Sequence, residues 1–128
     1  MSRFVDKTAT DEIKLKAGDS VQVRQRLTAP EKAALRKRLF RLEADMRTGD
    51  IRVADIEFHR QQLELVRSYL AGWSFKANDD DDEPVPYSPE RVDDLDDETI
   101  IEIADGINRL QSERDSEREK KGKQPSSR

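Results

Sequence analysis

The sequence predicts a mainly α-helical protein: an N-terminal β-hairpin, then a small bundle of three to four helices, then a disordered C-terminal tail. Three observations predict it. Apolar residues recur at helical spacing over 35–46, 56–73 and 100–110. A period-two alternation brackets a turn at Gly18. Beyond Leu110 there are no apolar residues at all.

Residues 1–10 are polar and aperiodic and read as a flexible arm. The hairpin is placed at 11–27. Ile13 and Leu15 lie two apart, Ala17-Gly18-Asp19-Ser20 offers a turn, and Val21 and Val23 again lie two apart. A lone two-stranded hairpin is marginal in water, so its apolar face must rest on the helices.

Residues 28–76 read as an antiparallel helical hairpin. Thr28-Ala29-Pro30-Glu31 is a capping box, in which Thr28 and Glu31 satisfy each other's amides and Pro30 occupies the first turn. Leu35, Leu39, Leu42 and Met46 share one face, and Gly49 suits the helix end. The second helix is expected from about Val53 to Gly72. Ile56, Leu63, Val66, Leu70 and Trp73 make one stripe, and Phe58, Leu65 and Tyr69 a second beside it. At about 100° per residue the two cover roughly half the circumference, so this helix is central or touches both core and partner.

Residues 77–87 form an acidic, proline-rich linker. Asp79 to Glu83 are all acidic, and Pro84, Pro86 and Pro89 stiffen the chain beyond them. Ser88-Pro89-Glu90 is a helix start, and C-terminal helices are placed over 88–112. Val92 and Leu95 mark the first. Ile100, Ile103, Ile107 and Leu110 mark the second, opened by Asp96-Asp97-Glu98. Residues 113–128 are assigned to the disordered charged tail.

Composition narrows the function. Of 128 residues, 41% are charged, 34% apolar and 5% aromatic, a thin supply for a core. Self-association or reliance on a partner is the expected consequence. The formal net charge is −4 with both signs interspersed, which is not the electrostatic footprint of a nucleic-acid binder. Arg36-Lys37-Arg38 and Arg41 form a basic face, but Glu31, Glu43 and Asp45 interrupt it, and a solvated face is the better reading than a DNA-binding helix. There are no cysteines and one histidine, His59, so neither a zinc cluster nor a Cys-His pair can be assembled. Neither a phosphate-binding glycine loop nor a Gly-x-Ser-x-Gly turn is present. Counted as a calcium loop from Asp79, the acidic run places Pro84 where glycine is needed. The reading is therefore no enzyme, with no catalytic residues, no metal ligands and no cofactor. No signal-peptide pattern opens the chain, and no apolar run nears the roughly 20 residues that span a bilayer. No membrane contact and a place in the host bacterial cytoplasm are expected.

Three landmarks carry a family resemblance. Val21 to Glu31 contains Arg26-Leu27-Thr28-Ala29-Pro30-Glu31, Tyr69 to Phe75 reads Tyr-Leu-Ala-Gly-Trp-Ser-Phe, and Pro84 to Asp96 reads Pro-Val-Pro-Tyr-Ser-Pro-Glu-Arg-Val-Asp-Asp-Leu-Asp. Over roughly residues 11–112 the chain resembles the tail assembly chaperones of long-tailed bacteriophages. The Trp-turn-proline block is fairly specific, and the flanking helices are not. The resemblance implies a non-catalytic protein that binds the tape measure protein, keeps it soluble, helps recruit tail tube subunits and is absent from the mature virion. It also implies a longer product made by programmed ribosomal frameshifting. Glu119-Lys120-Lys121 and Lys121-Gly122-Lys123 both permit a slippery codon run. The alternatives are a structural tail or head-completion protein retained in the virion, or a small helical DNA-binding regulator.

Phe40, Phe58, Leu65, Tyr69 and Ile101 lie off the principal stripes and are the expected partner-binding residues. Leu70, Trp73, Phe75, Val92 and Leu95 are the expected structural anchors, with Trp73 and Phe75 holding the linker. Reading the gene for a slippery run followed by an overlapping −1 frame tests the frameshift expectation, and finding neither removes it.

Overall fold

A computed structural model describes residues 4–48, 51–78, 80 and 82–122, with side chains described over 4–44, 58–78, 80 and 82–117. In chain order it contains β1 (Thr10–Lys14), β2 (Ser20–Arg24), α1 (Ala29–Thr48), α2 (Ile51–Tyr69), β3 (Leu70–Trp73), a 3-10 helix (Pro89–Asp94) and α3 (Asp97–Gly122).

The expected hairpin forms, one residue earlier than its predicted start. β1 and β2 pair antiparallel with Ile13 opposite Val21 and Asp11 opposite Val23. Leu15 N–H donates to Asp19 O (2.8 Å) and Gly18 N–H to Leu15 O (3.0 Å), closing the turn. Gly18 holds φ +99°, a region costly for a residue with a Cβ.

The hairpin is not alone. Helix α2 ends at Tyr69, and Leu70–Trp73, expected to continue it, is extended and pairs antiparallel with β2. The order is β1-β2-β3, so β2 is hydrogen-bonded on both edges. Val21 lies opposite Trp73 and Val23 opposite Leu70, with a register shift that leaves Ala71 extra. Directly opposed residues share a face. The bulge thus puts Leu70 and Trp73, three residues apart, on the side of Val21 and Val23. That spacing is also one of an α-helix, which is why the sequence reads as a longer helix here.

That face carries the core. Ile13, Val21 and Val23 are buried in one cluster with Val66 and Tyr69 of α2, Val92, and Ile100, Ile103, Ala104 and Ile107 of α3. Helices α1 and α2 pack as the expected antiparallel hairpin, since so short a connection leaves no room for a return crossing. Contacts step in opposite directions along them. Arg38 Nε meets Glu64 Oε2 (2.8 Å), and Leu39 O accepts from Gln61 Nε2 (3.5 Å). The expected cap at Gly49 lies outside the described residues.

The capping box of α1 is made. Thr28 N–H donates to Glu31 Oε1 (2.8 Å) and Glu31 N–H to Thr28 Oγ1 (3.4 Å). Arg24 of β2 adds a two-pronged ion pair to Glu31, at 2.5 and 2.9 Å, tying the helix start to the sheet. The Ser88 start differs from expectation. Ser88 occupies the cap position, but its hydroxyl makes no cap bond, and the six-residue segment is a 3-10 helix. Asp96 does cap α3, accepting from Thr99 N–H at 2.8 Å.

Helix α3 extends well past the apolar periodicity. It continues to Gly122, so residues 113–122, expected in the disordered tail, are helical. Polar contacts hold its middle. Arg114 donates to Gln25 O and pairs with Asp11, and Gln111 Nε2 donates to Gln25 O (3.4 Å). Residues 123–128 lie outside the described residues.

Gly106 marks the closest approach of α3 to the sheet. A Cβ there would lie 2.9 Å from both Cδ1 and Cγ2 of Ile13. Gly106→Ala gains about 1 kcal/mol of helix propensity but forces overpacking worth about 1–3 kcal/mol. Urea unfolding should show net destabilisation, and Ile13→Ala in the same chain should make the alanine at 106 favourable.

Glu31 provides a pH signature. The Arg24 guanidinium, and then the Thr28 amide, hold its carboxyl down to about 2 from 4.5. A carboxylate lowered on folding stabilises above its unfolded pKa and loses that contribution as pH falls toward the folded one. The loss therefore belongs between about pH 4.5 and pH 2. Glu31 is 40% exposed, so screening limits the effect to about 1 kcal/mol or less. The melting temperature of Glu31→Gln, compared with the parent, should differ at pH 6 and converge by pH 2.

Candidate partner-binding surface

The expected partner-binding residues do not make one patch. Tyr69 is 6% exposed and belongs to the core, which corrects its assignment as partner-facing; burial pushes its hydroxyl pKa up. It closes a helix that turns directly into β3, so the last turn of α2 is clamped against the sheet. Leu65, one turn earlier on the same stripe, is half-buried against the core. Ile101 is half-buried on α3, lining a groove of about 550 Å³ beside Ile13 and Lys14 of β1.

Phe40 and Phe58 are different. They are 70% and 43% exposed, on the helices of the α1–α2 hairpin. Phe58 stands edge-on to His59, with ring centroids 5.9 Å apart. Residues 58, 62 and 65 fall on one side of α2 at helical spacing. There Leu65 and Leu39 line a shallow groove of about 430 Å³, bounded by Glu43, Gln61, Gln62 and Asn108. The arrangement is an apolar furrow between helices with polar walls, continued by a half-exposed phenylalanine. Helix-in-groove recognition uses this kind of surface, with anchors at i, i+3, i+4 and i+7 on the incoming helix. Periodicity places Leu39 in the core stripe; its groove position depends on where α3 sets Asn108, which the α1 pattern does not encode.

The expected anchors Trp73 and Phe75 stand at the linker. Trp73 Nε1–H donates to Val85 O (2.7 Å), and Val85 N–H donates to Phe75 O (2.7 Å). The Tyr87 ring meets Trp73 edge-on at 4.8 Å, and its hydroxyl donates to Leu70 O (2.9 Å). Ser74 exchanges two bonds with Ser20, each 2.9 Å. The segments on either side of the acidic run are thereby fastened at β3, and Asp80, Asp82 and Glu83 are exposed. Among the other anchors, Leu70 and Val92 are buried, and Leu95 is half-buried against the core. Sequence reasoning does not single out Tyr87 and Val85. The signal for them is an aromatic and a β-branched residue alternating with the prolines.

Among the described residues no group of three or more His, Asp or Glu could hold a metal ion. No helix among them is long and apolar enough to cross a membrane. Comparison with protein-family models, curated proteins and solved structures found no match.

Trp73→Phe removes the bond to Val85 O, and Tyr87→Phe the bond to Leu70 O. Each should cost about 1 kcal/mol in stability, because a buried carbonyl loses its donor. Both substitutions touch one clasp, so their effects should be non-additive in a double-mutant cycle. Additive losses would show that the two rings hold the linker independently.

Proposed function

We propose that this chain is a tail assembly chaperone of a long-tailed phage or prophage. In this reading it binds the tape measure protein in the host bacterial cytoplasm, keeps it soluble and helps recruit tail tube subunits. The reading rests on the resemblance in residues 69–96 and 21–31. The observation that carries it furthest is the furrow of Leu39 and Leu65 on the α1–α2 hairpin, with Phe58 and Phe40 exposed on the same two helices.

The physical case is one of matched surfaces. A tape measure protein presents long apolar helical faces until the tube encloses it, and such faces aggregate unless covered. A small domain with an apolar furrow and a strongly charged exterior covers them one helix segment at a time. Release needs weak contacts, and a shallow groove with polar walls supplies weak contacts. Recruitment of tube subunits is assigned to the longer frameshifted form, appended beyond α3.

Co-expression tests the reading. A long helix-rich reading frame is expected immediately downstream, and its product should be soluble and co-purify when the two are made together, and insoluble when made alone. Phe58→Ser should reduce the recovered complex by about tenfold, the loss typical of an interface aromatic, with the circular dichroism of the free chain unchanged. Mass spectrometry of finished particles should find the protein missing. Its presence there at fixed stoichiometry would favour a retained tail or head-completion component instead.

A further inference from the structure

Strand β1 is an outer strand of the sheet, paired on one side only. The bonds at its two ends show which backbone groups that leaves free. Gln25 N–H donates to Ala9 O (3.0 Å) and Leu15 N–H to Asp19 O (2.8 Å), so the odd-numbered residues of β1 turn their N–H and C=O toward β2. The even-numbered residues turn theirs outward. Of these, Thr10 O accepts from Gln25 Nε2 (3.3 Å), and just past the strand Lys16 N–H donates to Glu102 Oε2 (2.6 Å). Between them Glu12 and Lys14 are exposed, and their outward backbone groups have no partner among the described residues.

Beside this edge lies the groove of about 550 Å³ along the outer side of α3. Its apolar lining is Ile13, Ile101 and Gly106, and the missing side chain at Gly106 is what lets α3 come down onto Ile13. Glu98, Glu102 and Asp105 are matched in number by Lys14, Lys16 and Arg109, so formal charge does not select an occupant. The backbone does.

We infer that β1 takes up an extended segment of another polypeptide as a fourth strand of the sheet, antiparallel to β1, with every second side chain of that segment in the α3 groove. Both free groups on each of Glu12 and Lys14 then find partners on two residues of the incoming strand. A helix could not supply them, because its own N–H and C=O groups are used internally except at its ends. Side chains alternate along a strand. Those directed at α3 meet Ile13 and Ile101 and must be β-branched or small and apolar, while those between them lie beside Glu12 and Lys14 and must be polar. A second copy does not fit this edge, since it brings its own α3 over its own β1. Paired strands lie about 4.8 Å apart, whereas packed helices need about 8–10 Å between axes, and one groove would have to hold both helix faces. The site is separate from the α1–α2 furrow and does not rest on the chaperone reading.

The probe is a capped peptide, acetyl-Lys-Val-Thr-Val-Thr-Val-Glu-amide, whose valines take the groove positions and whose threonines pair with Lys14 and Glu12. Titrated into the purified full chain and followed by amide NMR, it should bind saturably and slow the exchange of the Glu12 and Lys14 amides. N-methylation of both threonines should weaken binding about tenfold or more, because two hydrogen bonds are lost. N-methylation of the central valine, whose N–H points away from β1, should leave binding unchanged. Glu12→Pro removes only an outward N–H, which an edge strand tolerates, and should weaken binding with unchanged circular dichroism. Ile101→Arg should do the same by filling the groove without touching β1. Absence of saturable binding at millimolar peptide would overturn the proposal, as would equal binding of the two methylated peptides or binding indifferent to Ile101→Arg. Protection of the Glu12 and Lys14 amides that grows with protein concentration, without peptide, would overturn it in favour of a second copy.

Discussion

Strand β2 is hydrogen-bonded on both sides, to β1 at one edge and to β3 at the other. Most of the remaining architecture depends on that. Val21 and Val23 have essentially no exposed surface, because the sheet presents them to α2 and α3. β3 is continuous with α2, so pairing it to β2 fixes where the helical hairpin sits relative to the sheet. Its carbonyl at Leu70 then receives Tyr87, and its Trp73 receives Val85. A chain with few aromatics cannot build a large core. Here it uses backbone ladders and a few specific polar ties to orient three helices around a small one.

Those polar ties are long-range and placed where the apolar pattern stops. Glu102 of α3 accepts from the Lys16 amide at 2.6 Å, holding the hairpin turn. Arg114 and Gln111 reach Gln25, and Arg24 reaches Glu31. Individually such contacts are modest, since exposed ion pairs contribute little. The Arg24–Glu31 pair is stronger, as it doubles with a helix cap and sits on a guanidinium only 15% exposed. The effect is a small domain whose apolar side chains are not all consumed by its own core.

Much of this was legible in the residues. The alternation around Gly18, the Thr28–Glu31 box and the Ile100-to-Leu110 stripe each encode their element locally, because the pattern is complete within the element itself. The misreadings have a common cause in non-local pairing. Leu70 and Trp73 fit an α-helical period, and only a bulge opposite β2 makes three-residue spacing serve a strand. Tyr69 lies off the main stripe of α2, yet it is buried on that side as well. The extension of α3 to Gly122 carries no apolar signal, because Arg114 and Gln111 hold it through a backbone carbonyl on β2's flank. The exposed Phe40 and Phe58 were visible as off-stripe aromatics. That Leu39 and Leu65 share a furrow required the position of α3.

For the proposed chaperone function to hold, the α1–α2 furrow must cover another polypeptide's apolar helix. Hydrogen–deuterium exchange on the chain, alone and in complex with tape measure protein, tests this most directly. Slowed exchange in the α1 and α2 segments around Leu39, Phe58 and Leu65, with the Leu70–Tyr87 clasp unchanged, is the predicted result. A stable complex whose protection falls only on the sheet or the acidic loop, or no complex at all, would contradict it.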